Sequence, residues 1–194
     1  MTHPLPTNSK KGFTIIEVVL VLAIAGLIFL MVFVALPTLQ TSQRDTQRKN
    51  DISTIASQLV SYVSNNNKLP TAGSIEVGLK NGSTVPTAAG TAASMQAFAY
   101  NYLLSAGSNK NFGDPTMGYY KITSVAAPTA NGAVAMHTDL QASRTLGSIV
   151  VQYGASCNTG ALEDKAFTKN ANDGARSFAI AIRMESGSIY CTDN

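Results

Sequence analysis

A single carboxylate, Glu17, lies at the start of an apolar run that continues from Val18 to Leu36 without a charged side chain. A carboxylate inside a bilayer is costly unless it is paired, so an acid at this position indicates function. The nearest candidate cation is an α-amino group. If the chain were cut between Gly12 and Phe13, the free amine of Phe13 could neutralise the Glu17 of its own chain or of a neighbouring chain.

Elsewhere the sequence lacks the patterns that catalysis or cofactor binding needs. His137, in MHTDL, has no nucleophile motif around it, and a lone histidine in a sheet protein is usually structural or exposed. No glycine-rich loop ends in GK[ST], and no cluster of His, Cys and acids has metal-ligand spacing. Asp114, Asp139 and Asp173 stand singly, and we expect them to be solvated loop acids. The sequence therefore predicts no enzyme, no cofactor and no metal ion.

Charge and composition argue against a nucleic-acid-binding protein. Charged residues make up 13% of the 194-residue chain, against roughly 25% in an ordinary soluble domain. The formal net charge is +3, and Lys10 and Lys11 supply two of these charges. A chain that began at Phe13 would be nearly neutral, and no dense basic patch indicates a nucleic-acid site.

The two cysteines, Cys157 and Cys191, both lie in the C-terminal third of the chain. Neither belongs to a CxxC pair, and the histidines are far from them in sequence, so a zinc site or redox motif has little support. With a membrane segment in the same chain, a single disulfide in an oxidising compartment is favoured over two free thiols.

The apolar run is long enough to cross a membrane. Residues 13–36 would form a helix roughly 36 Å long, and a bilayer core is about 30 Å thick. A secretory signal peptide has an apolar core of about 7–15 residues followed by a small-residue cut site, and this run fits that pattern poorly. A plain membrane anchor would leave Glu17 unexplained. Pro37 falls where a helix could kink or end.

The stretch KKGFTIIE, positions 10 to 17, resembles the processing site of type IV pilins. In that family a short basic leader ends in Gly, prepilin peptidase cuts after it, and the next residue, usually Phe, becomes N-methylated. A Glu follows at the fifth mature position, ahead of an apolar helix. The resemblance implies cleavage between Gly12 and Phe13, methylation of Phe13, and a leader whose Lys10 and Lys11 stay in the cytoplasm. Glu17 is then the assembly residue that meets the Phe13 amine of another subunit.

The resemblance also implies where the chain is found and what it binds. Before assembly it would lie in the bacterial cytoplasmic membrane with its head outside, and afterwards in an extracellular pilus. Its partners would be copies of itself, prepilin peptidase and the pilus assembly machinery. The positive charges do not decide the orientation by themselves, because Lys10 and Lys11 precede the span while Arg44, Arg48 and Lys49 follow it.

Beyond the span, the sequence predicts a helix extension over 37–66 and an α+β head over 67–194. Apolar residues at helical spacing favour packing of the extension on the head: Ile52, Ile55, Ala56, Leu59, Val60 and Val63. The polar stretch 40–51 is either a solvated linker helix or a surface that packs against other subunits. Within it, Asp45–Lys49 and Arg48–Asp51 have the spacing of helix-surface ion pairs.

The head is predicted to carry a three- to four-stranded antiparallel sheet with one face packed on the helix. The strands are expected near 119–125, 147–155, 176–185 and 188–191, where Val, Ile, Phe and Tyr alternate with other residues. Residues 71–111 are mostly loop-like, with a short helix over 94–107. The cysteines would join the C-terminal strand to the end of the strand near Ala155, which is similar to the disulfide-bounded region of type IV pilins.

Together these features divide the chain into a leader (1–12), a membrane and assembly helix (13–36), a helix extension (37–66) and a head (67–194). The predicted function is that of a structural, major-pilin-like subunit of a type IV pilus-like filament. Adhesion, twitching motility or DNA uptake would be properties of the whole filament. The alternatives are a minor pilin or pseudopilin of a secretion or DNA-uptake system, and a single-span anchored binding domain that never polymerises.

Overall fold

The computed structural model describes residues 12–81, 83–86, 90–91, 93–104, 112–141, 146–158 and 166–194, without the side chains of 83–85. Lys10 and Lys11 of the predicted leader lie outside the described residues. The chain divides into two compact units, Met1–Gln40 and Thr41–Asn194. One helix, α1 (Ile15–Asn66), contributes to both units.

In the first unit, α1 is a continuous helix with an exposed apolar surface. Pro37 lies inside the helix and does not end it, and Gly26 does not interrupt it either. Large apolar side chains are exposed all along this part, from Phe13 at 90% to Leu39 at 58%. This stretch of α1 is therefore hydrophobic on every side, which is typical of a helix that is surrounded by lipid or by other helices.

In the second unit, α1 presents an apolar stripe to the head. Ile52, Ile55 and Leu59 are fully buried, as the helical spacing predicted. Tyr62 continues the stripe and is also buried, and its ring is perpendicular to the Phe98 ring, with 5.7 Å between centroids. Val60, which was expected to belong to the stripe, is 45% exposed.

The strands of the described residues belong to two sheets. Their bounds are β1 Ser74–Lys80, β2 Ser83–Val85, β3 Tyr119–Val125, β4 Gly132–Val134, β5 Ser148–Tyr153, β6 Ser156–Cys157, β7 Phe167–Lys169, β8 Phe178–Arg183 and β9 Ile189–Asp193. Between β2 and β3, α2 (Met95–Phe98) continues into a π-helical turn, Ala99–Leu103, and a 3₁₀ turn, Thr138–Leu140, precedes β5.

The main sheet is larger and less regular than predicted. It has six strands in the order β2-β1-β3-β5-β8-β9, whereas three or four antiparallel strands were expected. All its neighbouring strands are antiparallel except β3 and β5, which are parallel. Parallel neighbours need a crossover connection, and the chain between Val125 and Ser148 provides one.

Both faces of the main sheet are covered, so the head is an α+β fold with the sheet as its central layer. Ile149, Val151 and Ile180 point to the cluster that includes the buried stripe of α1. Val150 and Ala181 point to a second cluster, which also contains Leu140 and Phe167. This explains why every residue of β5 is buried, a pattern typical of a strand covered on both sides.

The second cluster lies against a small three-stranded sheet, β4-β7-β6. A disulfide joins Cys157 in β6 to Cys191 in β9, with 5.9 Å between their Cα atoms. The bridge therefore links the small sheet to the edge strand of the main sheet. Closing a loop of 34 residues stabilises a chain by up to about 3.8 kcal/mol in the chain-entropy model.

Candidate functional site

Residues 12–14 precede α1 without regular structure, and the helix begins at Ile15. Phe13 is 90% exposed. A Cβ built on Gly12 would meet no atom within 4 Å, so nothing in the described part of the chain requires glycine there. The predicted cleavage bond between these residues therefore lies outside the helix, in an exposed segment.

Glu17 bonds back to the start of its own helix. The backbone N–H and the hydroxyl of Thr14 both donate to Glu17 Oε2, each at 2.8 Å. A glutamate that accepts the N–H of the residue three positions earlier is one half of a capping box, which satisfies an amide that the helix leaves unpaired. Glu17 was predicted only as the partner of an amine, and its contact with Thr14 was not predicted. The signal was present, because Thr14 and Glu17 have the S/T-x-x-E spacing.

A second polar centre lies where the head half of α1 meets two loops of the head. Arg48 is fully buried, and its guanidinium binds Asp114 through two bonds, Nε–Oδ2 at 2.7 Å and Nη2–Oδ1 at 3.2 Å. The same group also donates to Asp45 at 2.9 Å, Thr116 at 2.9 Å and Glu185 at 3.3 Å. We call these residues, together with Arg44, the Arg48 cluster.

The remaining contacts of the Arg48 cluster hold the turn between β8 and β9. Arg44 makes a two-point ion pair with Glu185, at 2.8 and 2.7 Å. Asp45 accepts the backbone N–H groups of Glu185 and Ser186, at 2.9 and 3.2 Å. One turn further along α1, Asp51 accepts the hydroxyl of the buried Tyr120 at 2.7 Å.

Asp114 is positioned by its own loop. Its Oδ1 accepts the N–H groups of Thr116 and Met117, and its carbonyl accepts the N–H of Gly118 at 2.7 Å. A Cβ on Gly113 would lie 2.1 Å from the carbonyl oxygen of Gly118, so this loop can close only with glycine at that position. The carboxylate is thus fixed before it meets Arg48.

Hydrogen bonds and ion pairs within the Arg48 cluster favour the charged forms of its arginine, aspartate and glutamate side chains. Burial opposes the charge on Arg48, but the bonds from Asp114, Asp45 and Glu185 outweigh it and raise the pKa of the guanidinium. Burial likewise opposes the charge on Asp45, yet the N–H groups of Glu185 and Ser186 and the Arg48 guanidinium bring its pKa below the ordinary value. The pKa of Glu185 is lowered mainly by its bond from Arg44. Within the described residues, every buried side-chain nitrogen and oxygen has a hydrogen-bond partner.

These contacts correct two expectations. The polar stretch of α1 is not a solvated linker, because Asp45 and Arg48 are buried against the head. The spacing had suggested that Arg48 pairs with Asp51, whereas its guanidinium binds Asp45, Asp114 and Glu185. Lys49, the expected partner of Asp45, lies 5.6 Å from the centre of the Tyr190 ring.

The three single acids were also expected to be solvated, and that expectation was wrong for Asp114 and Asp139, whose side chains are 0% and 11% exposed. Asp114 is 2% exposed within the Arg48 cluster. Asp139 binds the Lys121 ammonium and the Thr123 hydroxyl. Asp173 accepts the hydroxyl of Ser156 at 2.6 Å and closes the turn after β7. The hydrogen-bond partners of these aspartates are either distant in sequence or within the same irregular loop. The sequence pattern alone therefore could not identify these partners.

His137 and the cysteines take structural positions. The Nδ1 atom of His137 accepts the N–H of Asp139 and caps the 3₁₀ turn. Cys157 and Cys191 form the disulfide that the sequence analysis favoured. Among the described residues, no group of three or more His, Cys, Asp or Glu side chains could hold a metal ion.

Comparison with known proteins identifies the N-terminal segment. Residues 7–33 match the family model described as the prokaryotic N-terminal methylation motif, which is the type IV prepilin signature. No curated protein and no solved structure matches the chain. The match spans the leader end, Gly12, Phe13, Glu17 and most of the apolar run, and it indicates a type IV pilin-like substrate of prepilin peptidase.

Proposed function

We propose that this chain is a structural subunit of a type IV pilus-like filament, cut between Gly12 and Phe13 and polymerised through the first half of α1. The observation that carries the proposal is the exposed apolar surface of that half, from Phe13 to Leu39, with one carboxylate at its start. A helix with such a surface needs an apolar environment on all sides. Lipid supplies it before assembly, and the same helices of other subunits supply it afterwards.

The dimensions of the helix support storage in a membrane. From Ile15 to Leu36 the helix is roughly 33 Å long, which is just enough to cross a bilayer core of about 30 Å. Pro37 is tolerated inside the helix, and the first charged side chain after the span is Arg44. The apolar length is therefore matched to one crossing of the bilayer.

Two features of residues 12–14 support cleavage at Gly12. The segment is exposed and not helical, so a peptidase could bind its backbone without first unwinding α1. Gly12 has open space where a side chain would lie, so the need for glycine comes from the peptidase and not from the fold of the chain. Cleavage there would leave Phe13 as the first residue, with a free amine four positions before Glu17.

Glu17 would then set the register of assembly. In a bundle of apolar helices the dielectric constant is low, so a carboxylate and an amine attract strongly and an unpaired carboxylate is costly. A subunit docked with its Glu17 beside the Phe13 amine of a neighbour satisfies both groups. A subunit docked out of register leaves both charges buried without a partner.

The Arg48 cluster would fix the head to the helix. The bonds from Arg48 and Arg44 join the helix to the loop at 112–118 and to the turn between β8 and β9. These ties lie at the beginning of the head half of α1. A filament subunit needs such ties, because any force applied to its head must reach the helix that is packed in the filament.

The proposal is tested first by mass spectrometry of filaments sheared from cells that express the chain. We expect a mature chain that begins at N-methylated Phe13. We also expect Glu17→Ala to reduce surface filaments more than tenfold while the protein stays in the membrane fraction. The control is Glu76→Ala, which removes an acid that pairs with Lys80 on the head.

The outcomes separate the candidates. Normal filaments from Glu17→Ala would refute the role of Glu17 in register. A cleaved chain that is found only in membranes, or as a trace component of filaments built from another subunit, would favour a pseudopilin or minor pilin. An uncut chain would favour the anchored domain that does not polymerise.

A further inference from the structure

We propose that the head carries a binding site for one ring of a neutral saccharide, in a polar cleft on the face of the main sheet that is turned away from α1. The cleft has a volume of about 140 Å³. Residues of β1, β3 and β5 line it, together with residues of the chain that leads into β5. Binding at this site requires neither cleavage after Gly12 nor filament assembly.

The register of the main sheet brings three polar side chains together on this face. Side chains of a strand point alternately to the two faces of a sheet. Ile122 and Ile149 point to the cluster on the α1 side, so Lys121 and Ser148 point away from it. Glu76 of β1 is paired with Lys121 of β3, which is paired in turn with Ser148 of β5. These side chains form the floor of the cleft.

The cleft lies at a step between a covered part and an open part of the same face. The second cluster covers this face over β5 and β8. Over β1 and β3 the face is open, since the side chains of Glu76 and Lys121 are 36% and 42% exposed. Asp139, in the 3₁₀ turn before β5, borders the cleft together with Leu146 and Tyr119. Polar groups and apolar surface therefore meet in one small space.

Ser148 supplies a hydrogen-bonding group that the fold does not use. The residue is 9% exposed, and among the described residues no group bonds its hydroxyl. Every side-chain nitrogen or oxygen that is completely enclosed in the described head has a partner, so this hydroxyl must be open to the cleft. A ligand hydroxyl that replaces water at this position satisfies a group that is otherwise nearly desolvated.

The charges around the cleft are already balanced, which favours a neutral ligand. The Lys121 ammonium lies 3.0 Å from both carboxylate oxygens of Asp139. Glu76 pairs with Lys80 in the same way. The charges of these two pairs cancel. A charged ligand would have to break one of the pairs or bring an uncompensated charge into the cleft, and either change opposes binding.

The polar groups of the cleft match the hydroxyls of a sugar ring. A carboxylate has about four acceptor positions and an ammonium has three donors, so the paired Glu76, Asp139 and Lys121 can each form further bonds. Sugar hydroxyls both donate and accept, and adjacent ones can bond these groups and Ser148 at the same time. The volume of about 140 Å³ equals that of four or five waters at about 30 Å³ each, which suits one partly exposed ring.

The test is ligand-observed NMR on the full-length chain in a zwitterionic detergent that has no sugar head group. The neutral probes are the methyl glycosides of glucose, galactose, mannose and N-acetylglucosamine. The charged probes are methyl glucuronide, an anion, and glucosamine, a cation. We expect saturable binding of at least one neutral probe with a dissociation constant on the order of 1 mM, because a single ring has few atoms. Both charged probes should bind more weakly than that neutral probe.

Substitutions of Ser148 assign the binding to the cleft. Ser148→Ala removes only the hydroxyl and should weaken binding about fivefold, as expected for one hydrogen bond. Ser148→Val replaces the hydroxyl with methyl groups that a strand accommodates well, and it should abolish saturable binding. Ser57→Ala is the matched control, because it removes a hydroxyl bonded to the Ser53 carbonyl on α1. The midpoint of urea unfolding shows whether each variant is folded.

Three results would overturn the proposed site. They are no saturable binding of any neutral probe by the wild-type chain, binding that is unchanged in both Ser148 variants, and tighter binding of a charged probe than of every neutral one. None of these results bears on the proposed function. Mass spectrometry of the chain end and the filament yield of Glu17→Ala test that function separately, so the two failures are distinguishable.

Discussion

The two halves of α1 form one continuous helix, but their charged side chains find hydrogen-bond partners in different places. From Ile15 to Gln40 the helix carries one charged side chain, Glu17, and that carboxylate bonds to the first turn of its own helix. From Thr41 to Asn66 it carries several, and those on its inner face are buried in bonds to the head. The low charge of the first half fits an apolar environment such as a membrane, whereas the charges of the second half have partners in the head.

A charged side chain can be buried in the head where neighbouring elements supply its counter-ions. Arg48 is as fully excluded from water as Ile52 or Leu59. Its charge is tolerated because acids from α1 itself, from the 112–118 loop and from the β8–β9 turn surround it. Buried ion pairs add little net stability compared with apolar packing, but they are strongly destabilising when one partner is removed. Removal of one partner from the Arg48 cluster is therefore expected to destabilise the head strongly.

The largest expected effect is that of Arg48→Met. Removal of the guanidinium leaves Asp114 buried without its counter-ion, so we expect the head to lose about 3–5 kcal/mol of unfolding free energy. Urea unfolding of the full chain in detergent, followed by the near-ultraviolet circular dichroism of its tyrosines, measures this. Lys49→Met removes the same charge from the exposed face and should cost less than about 1 kcal/mol. An Arg48→Met protein as stable as wild type would show that the cluster is not buried as described.

A matched pair of leucines separates the two halves directly. Leu59 is fully buried and Leu27 is 70% exposed, although both lie in the same helix. We expect Leu59→Ala to cost the head about 2–5 kcal/mol, because the substitution leaves a cavity in the core. Leu27→Ala should change head unfolding by less than about 0.5 kcal/mol, since the head does not bury that side chain. Equal effects in the urea experiment would contradict the division of α1 into two environments.

A smaller effect on the unfolding free energy of the head is expected when the pH is lowered. The pKa values of Asp45, Glu185 and Asp139 are below their ordinary values in the folded chain. Their contribution to stability is therefore complete above the unfolded values of about 4, and it is lost as the pH falls through the folded values. The unfolding free energy of the head should decrease between about pH 5 and pH 2. Glu185→Gln should show a shallower decrease, and an unchanged slope in that variant would exclude Glu185 as a contributor.

Local sequence patterns predicted several buried positions of α1 and several strands of the head. The buried positions Ile52, Ile55 and Leu59 followed from helical spacing, because a helix repeats its faces every 3.6 residues whatever it packs against. The strands near 119–125 and 147–155 were recognisable because both are rich in β-branched and aromatic residues. The stretch 74–80 was read as loop-like, yet it forms β1, since pairing with β3 overrides the weak propensity of a strand that contains Gly78.

The N-terminal segment could be read from the sequence because its chemistry is contiguous. Gly12, Phe13, Glu17 and the apolar run follow one another along the chain, so recognising them requires no contact between residues that are distant in sequence. Even the bond from Thr14 to Glu17, which the sequence analysis missed, was present as a local motif. The Arg48 cluster is different, because Arg48 and Asp114 are 66 residues apart in sequence. Only the tertiary structure could bring them together, since the packing of the sheet on α1 decides which distant acids reach a buried cation.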